Sequence, residues 1–538
     1  MKRYINILMV ALATMMTSCL TEDPRDQLYE EDIYNNANNL YINAVAVLYN
    51  YIGGSADSEG LQGTCRGIYD YNTLTTDEAM IPIRGGDWYD GGLWTNMYQH
   101  KWSPNDLPLY NTWKYLYKVV VLSNKSLHII DKYSHNLSEE QRVAYEAEVR
   151  ALRALFYYYI MDMYGRVPIV TSYEQPQDEV VQSERSEVFR FIVNELQEVA
   201  ELLPNERSNK MGNYYGRITT PVANFLLAKL ALNAEIYCDD NWTDGVPRNG
   251  KEIFFTVDGE KLNAWQTCIK YCNKLAEVGY RLEDDYSYNF SVHNENSNEN
   301  IFTIPLDKNL YAAQFWYLFR SRHYNHGGAL GGSSENGTSA NISTVLANGY
   351  GTDDVDARFE KNFYAGIVEV DGKPVMMDNG QQLEYFPLEL KLNLTGSPYV
   401  KTAGARMAKY EVDRTSHSDG RQPDNDIVLF RYADALLMKS EAKVRNGEDG
   451  SLELNEVRGR VGMPYREATL ENILKERLLE LVWEGWRRQD MVRFGVYHKS
   501  YDQRVQLADE KNGYTTVFPI PQKSIDLNPK LKQNVGYK

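Results

Sequence analysis

Segments of helical periodicity, separated by long irregular stretches, are the feature that most limits the fold of this chain. Apolar side chains recur at steps of three and four over about 138–163, 221–237, 427–445 and 470–492. A helix with one apolar stripe buries that stripe against a neighbouring helix. We therefore predict a mainly α-helical scaffold built from packed antiparallel helices.

The first of these segments is the clearest. Its apolar stripe includes Val149, Leu152 and Phe156, and small alanines beside the stripe permit close approach by a second helix. Gly165 and Pro168 follow at the expected end. Pairs of such helices are typical of tetratricopeptide-like folds, although the usual period of about 34 residues is not kept here.

The irregular stretches at 53–111, 241–348 and 349–425 do not have the pattern of a scaffold. Loops this long inside a folded protein are usually functional. They contain six of the nine tryptophans: Trp88, Trp94, Trp102, Trp242, Trp265 and Trp316. With 41 tyrosines in addition, these rings exceed what a core alone requires. A ring with a polar tip suits a polar ligand that also has flat C–H faces.

The charge of the chain argues against several partners. Its 57 basic and 74 acidic side chains give a formal net charge of −17. Proteins that bind nucleic acids or anionic membranes through phosphate groups need a basic surface. We therefore expect no nucleic acid partner, and no membrane contact except through a lipid.

The first residues have the pattern of an export signal. A positively charged start precedes an apolar stretch at 5–16 that is too short to span a membrane comfortably. The letters MTSC at 16–19 resemble a bacterial lipobox, in which Cys19 is acylated and becomes the mature N-terminus. We therefore predict a signal peptide at 1–18 and a lipidated tether at 19–30. The alternative is an ordinary secretory peptide with an incidental cysteine.

No group of residues predicts a metal or cofactor site. Cys268 and Cys272 share one face of a predicted helix, but no further ligand lies at close spacing. His323 and His326 lack a carboxylate or cysteine at ligand spacing, so a solvated loop is the better interpretation. The four cysteines that follow Cys19 are also too few for a disulfide framework.

Three carboxylates at helical spacing allow two interpretations. Glu476, Glu480 and Glu484 share one helical face, which would suit the paired carboxylates of a glycoside hydrolase. Other charged side chains interleave with them, namely Arg477, Arg487 and Asp490. We therefore favour a charge network between helices.

Five groups of motifs, in chain order, resemble those of one family. They are EAEVRALRA at 146–154 with MYGRVP at 163–168, RIT at 217–219 before AKL at 228–230, LFRYAD at 429–434 through SEA at 440–442 with LNEVR at 454–458, ER at 476–477 through EG at 484–485 to Asp490, and PIP at 519–521 with Ile525 and Asn528-Pro529. Over essentially the whole chain they are similar to the RagB/SusD family, the surface glycan-binding lipoproteins of Bacteroidetes. Glu22 and Asp23 after Cys19 also resemble the export signal of such lipoproteins.

The resemblance implies a SusD-like fold, which is mainly α with minor β structure. It implies a single domain at 31–538 in which tetratricopeptide-like helix pairs support a loop-rich binding half. The expected helical scaffold covers about 31–60, 110–240 and 426–538, and the expected binding half covers about 61–110 and 241–425.

The function that the resemblance implies is non-catalytic. The family captures oligosaccharides or polysaccharides at the outer membrane and delivers them to a SusC-like TonB-dependent transporter, over which the lipoprotein acts as a lid. We expect neither a cofactor nor a metal in this role. Two alternatives stay open, namely a glycoside hydrolase with a carboxylate pair in the loops and a peptide- or scaffold-binding member of the same fold.

The resemblance also implies where the glycan binds. In the family's starch-binding archetype, an arginine lies ten residues before Thr-Asp-Glu, and a tryptophan-bearing loop follows. Here Arg66 lies ten residues before TDE at 76–78, and Trp88 follows, although the loop at 79–87 is longer than in the archetype. The further rings that are similar to the family's platform are Tyr286, Tyr288 and Trp316. Which of the two tyrosines faces the ligand stays open, and for each ring the alternative is packing in the core or in a loop.

The chemistry of a glycan supports such a site independently. A neutral sugar offers hydroxyls and a flat apolar face, so its site needs aromatic platforms bordered by amides, carboxylates or arginines. One stacked ring contributes about 1 kcal/mol beyond its burial. Two or three such rings therefore predict an affinity in roughly the micromolar to millimolar range.

Overall fold

A computed structural model of the chain describes residues 30–62, 64–310, 315–416 and 423–538. The predicted signal peptide at 1–18, the predicted acylation site Cys19 and nearly all of the tether lie outside these ranges. The fold is mainly helical, as predicted, and its strands are short. No helix within the described ranges is both long enough and apolar enough to cross a membrane.

Eight helices of ten or more residues form the scaffold in the part of the chain that the structure describes. They are α1 (Leu107–Lys132), α2 (Glu139–Tyr164), α3 (Arg185–Val199), α4 (Thr220–Leu232), α5 (Ala264–Glu277), α6 (Tyr432–Asn446), α7 (Ser451–Arg460) and α8 (Leu470–Leu481). From α1 to α7, each helix packs against the next one in the chain, and α6 also contacts α8. Such serial packing is the arrangement expected of tetratricopeptide-like pairs.

Shorter elements connect and flank these helices. The short helices are Glu30–Ile33, Ala37–Leu40, Val47–Tyr49, Ile68–Thr73, Leu93–Tyr98, Ala234–Tyr237, Trp316–Arg320, Tyr324–Ala329, Ile342–Ala347, Phe359–Asn362, Arg487–Arg493 and Gln522–Leu527. The strands form antiparallel pairs: Ala79–Met80 with Ser339–Ala340, Val167–Pro168 with Gln182–Ser183, Phe254–Val257 with Glu260–Asn263, Asn300–Ile304 with Ile427–Arg431, Phe363–Tyr364 with Arg406–Met407, Gly366–Ile367 with Glu384–Tyr385, and Glu369–Val370 with Lys373–Pro374.

Helix α2 runs through the core of the scaffold. Ser138 caps its start, because the Ser138 hydroxyl accepts a hydrogen bond from the Gln141 N–H while the Gln141 side chain accepts one from the Ser138 N–H. Every residue at 151–164 is buried, so this half of the helix is covered on all sides rather than along the predicted stripe alone. Gly165, with a φ of 70°, ends the helix as predicted.

The predicted helix at 427–445 is wrong in its first turn. Ile427–Arg431 is a fully buried strand that pairs with Asn300–Ile304, and α6 begins only after it. The four residues before Arg431 are apolar, and they are buried on both faces of the strand. The predicted segment at 221–237 is nearer to the structure, since α4 is followed directly by the short helix Ala234–Tyr237.

The predicted helix at 470–492 is two helices. The chain turns between α8 and Arg487–Arg493, and Trp483 and Gly485 take left-handed φ values of 68° and 74° in this turn. The backbone N–H of Trp483 donates to Glu78 Oε1 at 2.9 Å, and the Trp483 ring is buried. The turn is therefore held by contacts with a distant segment of the chain.

One segment of the predicted binding half belongs to the scaffold. Helix α5 lies within 241–348 but packs against both α4 and α6. Its Trp265 is buried against Gly250, where a Cβ atom would lie 2.3 Å from the indole ring. Cys268 and Cys272 are buried free thiols in the same helix. Trp265, one of the six tryptophans in the irregular stretches of the sequence, is therefore a core residue.

Buried ion pairs join the scaffold to the loop-rich half. Glu476 and Glu480 lie on α8, Glu484 follows in the turn, and all three side chains are buried. Their six basic partners are Arg358, Lys409, Arg431, Arg458, Arg460 and Arg466. The glutamates belong to a charge network, as predicted, but the interleaved residues have other partners: Arg477 pairs with Asp434 and Asp490, and Arg487 pairs with Asp77. Since the carboxylates of the three glutamates are closed to solvent and bound to cations, they are not available to a substrate.

Glu480 lies at the centre of this network. Its carboxylate accepts hydrogen bonds from Arg358 and Arg431, each at 2.6 Å, and from Arg460. Burial alone would raise the pKa of Glu480, but the guanidiniums of Arg460, Arg431 and Arg358 outweigh it and hold that pKa well below its usual range. Glu480 therefore stays ionised inside the protein.

We predict that Glu480→Gln lowers the free energy of unfolding by about 3 to 5 kcal/mol at neutral pH, because it leaves three buried guanidiniums short of a counter-charge. Urea unfolding followed by circular dichroism measures this loss. Glu139→Gln is the matched control, since Glu139 pairs with Arg142 at the surface. It should leave the unfolding midpoint unchanged, and an equal effect of the two substitutions would contradict the structural role of the network.

Candidate functional site

Two of the predicted site residues, Arg66 and Trp88, line one surface cavity of about 490 Å³. The other lining residues are Asp57, Cys65, Asp87, Asp90, Tyr324 and Glu335. They come from three segments, at 57–66, 87–90 and 324–335, all within the irregular stretches of the sequence. The cavity thus combines two aromatic rings, a guanidinium and several carboxylates, the groups that a neutral sugar requires.

Arg66 pairs with acidic residues from two of the segments that line the cavity. Its guanidinium donates to Asp57 Oδ2 at 2.7 Å and to Asp90 Oδ2 at 3.0 Å. The backbone of Arg66 takes a left-handed φ of 62°, which is unusual for a residue with a side chain. Its N–H donates to Asp70 Oδ2 at 2.7 Å, so Asp70 holds the backbone in this conformation.

Asp70 is in turn part of a fully buried ion pair. Arg320 donates to the two carboxylate oxygens of Asp70 at 2.6 and 3.1 Å, and neither side chain reaches solvent. The Arg320 guanidinium also lies 5.4 Å from the centre of the Trp94 ring. One buried pair therefore connects the backbone of Arg66 with the ring on which Trp88 packs.

Trp88 is partly buried, and its ring is wedged between fixed neighbours. The indole N–H donates to the carbonyl of Glu335 at 3.1 Å, and the ring meets Trp94 edge-on with centres 6.1 Å apart. A Cβ atom on Gly337 would lie 2.7 Å from the indole, so only glycine leaves room for the ring there. Trp88 itself has a left-handed φ of 64°. The ring is thus positioned by the loop at 335–337 rather than by its own loop alone.

Tyr324 and Asp87 are site residues that the sequence did not predict. Tyr324 is 39% exposed, and its hydroxyl donates to Asp87 Oδ2 at 3.1 Å. Burial, and then the bond to Asp87, raise the pKa of Tyr324 to about 12. The glycine pairs at 85–86 and 91–92 mark an exposed turn around Asp87, which is a usable signal. No comparable signal marks Tyr324.

Tyr286 does not belong to the site. The structure corrects this prediction, since Tyr286 is only 2% exposed and its hydroxyl donates to Asn362 Oδ1 at 2.8 Å. Its ring lies near Lys409 and Arg460 of the buried ion network. A ring in this position has no face open to a ligand, so its role is to pack the core.

The remaining rings are placed as follows. Tyr288 is partly buried and does not line the cavity of Arg66. Trp316 begins the short helix Trp316–Arg320, and its side chain lies outside what the structure describes. Trp94 and Trp102 are buried, at 1% and 6% exposure. The long loops therefore use some of their rings as core, which their composition does not reveal.

The TDE motif at 76–78 has a structural role. Asp77 Oδ1 accepts a hydrogen bond from Arg487 Nε at 2.6 Å. Glu78 Oε1 accepts one from the backbone N–H of Trp483. The strand Ala79–Met80 follows directly and pairs with Ser339–Ala340. The motif thus connects the start of the loop at 79–87, which leads to Trp88, with the helical scaffold.

His323 and His326 are buried rather than solvated, which corrects the prediction. His323 is 3% and His326 is 1% exposed. Burial lowers the pKa of His323 to about 4 and that of His326 to about 3, so both rings are neutral at neutral pH. Among the described residues, no cluster of three or more histidine, cysteine or acidic side chains has the geometry of a metal site.

Comparisons with known proteins identify the family. The family model described as "SusD family" matches residues 332–537, and the model described as "Starch-binding associating with outer membrane" matches residues 34–232. The starch-binding protein SusD of Bacteroides thetaiotaomicron is 25% identical to the chain over 541 residues, which covers 90% of this chain and 89% of SusD. The chain belongs to the SusD family. A SusD-like protein of Bacteroides ovatus is 24% identical over 464 residues, which covers 80% of this chain and 74% of that relative.

Solved structures of SusD-like proteins have the same fold. The surface glycan-binding protein A of B. thetaiotaomicron, in complex with laminarihexaose, matches with a TM-score of 0.68 at 20% identity and covers 92% of this chain and 99% of that chain. A SusD-like protein of Bacteroides fragilis matches with a TM-score of 0.71 at 18% identity and covers 95% and 99%. The predicted SusD-like, mainly α fold is therefore confirmed.

We predict that Asp70→Asn costs about 3 to 5 kcal/mol of unfolding free energy, because Arg320 is left buried without its counter-charge. Asp57→Asn is the control within the same cavity. Asp57 is exposed, so losing its bond to Arg66 should cost less than about 1 kcal/mol. Equal costs in urea unfolding would show that the buried pair does not hold the site.

We also predict a pH effect at Glu78. Burial raises the pKa of Glu78 from 4.5 to about 8, and the hydrogen bond from the Trp483 N–H offsets this only in part. Between these pH values the folded state binds one more proton than the unfolded state, so Glu78 makes stability fall with rising pH, by up to about 1.4 kcal/mol per unit. Glu78→Gln removes this contribution to the pH dependence of stability, because glutamine does not titrate. The stability of the variant relative to the wild type should therefore rise from pH 5 to pH 8, and a constant difference would contradict the raised pKa.

Proposed function

We propose that this SusD-family protein binds a neutral oligosaccharide or polysaccharide at the cavity of Arg66 and Trp88. The observation that carries the proposal is the combination of the Trp88 ring, the Arg66 guanidinium and the Tyr324 ring on one surface cavity. A partly exposed ring stacks on the C–H face of a sugar, while the guanidinium and the carboxylates bind its hydroxyls.

The names of the relatives support a glycan as ligand. SusD of B. thetaiotaomicron is a starch-binding protein, and a protein of the same fold was solved with laminarihexaose. Both are glucans. Because the loop at 79–87 and the buried Tyr286 depart from the expected platform, we do not assign either glucan to this chain.

The charge of the cavity favours a neutral glycan. Four carboxylates, from Asp57, Asp87, Asp90 and Glu335, line it with the single guanidinium of Arg66, and the whole chain has a net charge of −17. Uronic acids and sulfated sugars would be repelled by this potential. Hydroxyl groups, by contrast, donate readily to carboxylates.

Binding without cleavage is part of the proposal. Asp57 and Asp90 are both bound to Arg66, and Asp87 accepts a hydrogen bond from Tyr324. A glycoside hydrolase needs one carboxylic acid that donates a proton to the leaving group. The two carboxylates on Arg66 are held as acceptors instead, which supports a non-catalytic role over the hydrolase alternative.

The cellular setting extends the proposal. Acylation at Cys19 would anchor residues 31–538, as a single SusD-like domain, to the outer membrane at the cell surface. The helical scaffold would then dock on a SusC-like TonB-dependent transporter and pass the glycan to it. The second matching family model, whose description refers to association with the outer membrane, supports this location.

We predict that Trp88→Ala weakens binding to the preferred neutral polysaccharide by roughly tenfold or more, because a stacked ring is lost. Affinity gels that contain amylopectin, laminarin, galactomannan or xyloglucan measure the retention of the protein. Gels that contain the acidic polysaccharides polygalacturonate or alginate should retain it less. Trp316→Ala tests the ring whose side chain the structure does not describe.

Tyr465→Ala is the matched control, because Tyr465 is 73% exposed and does not line the cavity. Its retention and that of the wild type should be equal, and the thermal midpoints of all variants should be recorded. Undiminished retention of Trp88→Ala would show that the glycan binds elsewhere. Release of reducing ends by the pure protein would favour the hydrolase, and retention by none of the polysaccharides would favour the peptide-binding alternative.

A further inference from the structure

We infer that a second cavity, lined by Phe386 and Tyr399, binds the next sugar units of the glycan chain held at Arg66 and Trp88. This inference rests on the proposed function. It extends the binding site from a single pocket to two neighbouring pockets, and it specifies a long linear chain as the preferred ligand.

The second cavity has the groups that a sugar requires. Its volume is about 630 Å³, and the rings of Phe386 and Tyr399 lie 4.9 Å apart at an angle of 53° on its wall. Both rings are partly exposed. Polar side chains border them, namely Asn379, Gln381, Gln382, Glu384 and Lys401. Aromatic faces beside amides suit the C–H face and the hydroxyls of a sugar ring.

The two rings are held on paired backbone. The Phe386 N–H donates to the carbonyl of Thr402 at 3.0 Å, and the Gly404 N–H donates back to Phe386 at 2.8 Å. The Tyr399 carbonyl accepts from the N–H groups of Thr402 and Ala403, at 3.0 and 2.8 Å. A surface that is already ordered loses little entropy when it binds a ligand.

The amide side chains lie on a tight hairpin next to these rings. Gly380, with a φ of 80°, forms its tip, and the Met377 N–H donates to the Gln381 carbonyl at 2.8 Å. The side chains of Asn379 and Gln381 bond to each other at 3.0 Å. Gln382 also lines the cavity and is partly exposed. An amide side chain has both donor and acceptor groups for sugar hydroxyls.

Tyr324 connects the two cavities. Its hydroxyl bonds to Asp87 in the first cavity, while Lys401, which lines the second, places its ammonium group 5.8 Å from the centre of the Tyr324 ring. The loop of Trp88 also contacts the second cavity directly, because Arg84 donates to the carbonyl of Val400 at 2.9 Å. Residues of the two pockets are thus in contact with each other, as required for one ligand that spans both.

The charge of the second cavity fits the same neutral ligand. Among its lining residues, Lys401 and Glu384 balance each other, and the other polar groups are uncharged. A chain bound in both pockets gains affinity because the second contact is made within the same complex. A disaccharide, which we expect to bind at Trp88 only, gains nothing from the second pocket.

Tyr399→Ala tests this inference. Isothermal titration with laminaribiose, laminarihexaose, maltose and maltohexaose, beside laminarin and amylopectin affinity gels, compares short and long probes of both glucan types. We expect the variant to bind the hexasaccharide that the wild type prefers about three- to tenfold more weakly, and the matching disaccharide within twofold of the wild type. Tyr399→Phe keeps the ring and should bind like the wild type. Gln382→Ala, which changes no packed ring, should weaken only the hexasaccharide.

The outcomes separate this inference from the proposed function. If Trp88→Ala weakens binding but Tyr399→Ala and Gln382→Ala leave hexasaccharide binding unchanged, the second pocket is excluded and the first stands. An equal loss for disaccharide and hexasaccharide in Gln382→Ala would also overturn the inference. If the wild-type protein binds none of these glucans, in titration or in gels, the inference is overturned for glucans. If the wild-type protein is still retained by galactomannan or xyloglucan, the proposed function stands.

Discussion

The buried ionic bonds of Glu480 are the interaction on which the rest of the structure depends. This single carboxylate, on α8, binds guanidiniums from a loop, a strand end and α7. A buried ion pair contributes little net stability compared with apolar packing, but a wrong arrangement that leaves one charge unpaired is very costly. The network therefore specifies geometry: only one placement of the loop-rich half on the helices satisfies all of its charges.

A buried ion pair also determines the geometry of the candidate site. The ion pair of Asp70 and Arg320 has no contact with solvent, yet it fixes the backbone of Arg66 from one side and the Trp94 ring from the other. The loops that carry the ligand-facing groups are long and have little regular secondary structure. Buried charges supply the order that hydrogen-bonded sheets supply in other folds, and they allow strained positions such as Arg66 to persist.

Sequence patterns predicted the scaffold better than the site. Helix α2 was predictable because its cap, its stripe and Gly165 all agree. The strand Ile427–Arg431 was not, since a short apolar run has the same composition in a buried strand as in a buried helix. Arg66 and Trp88 line one cavity, and the motif pointed to both because it keeps them near each other in sequence. Tyr286 was misplaced because a motif gives the position of a ring along the chain but not its orientation, and Tyr324 was missed because only tertiary contacts bring it to Asp87.

Two moderate pockets suit the proposed role better than one tight pocket. A protein that passes its ligand to a transporter has to release it, and a release rate falls as affinity per site rises. When affinity is divided between the cavity of Trp88 and that of Tyr399, a long chain is retained because both contacts must break together, whereas either contact alone opens readily. The rings are held by rigid backbone, so each contact is regained without reordering the loops. Under the proposed function, retention would then depend on the length of the glycan chain, and handover would proceed one pocket at a time.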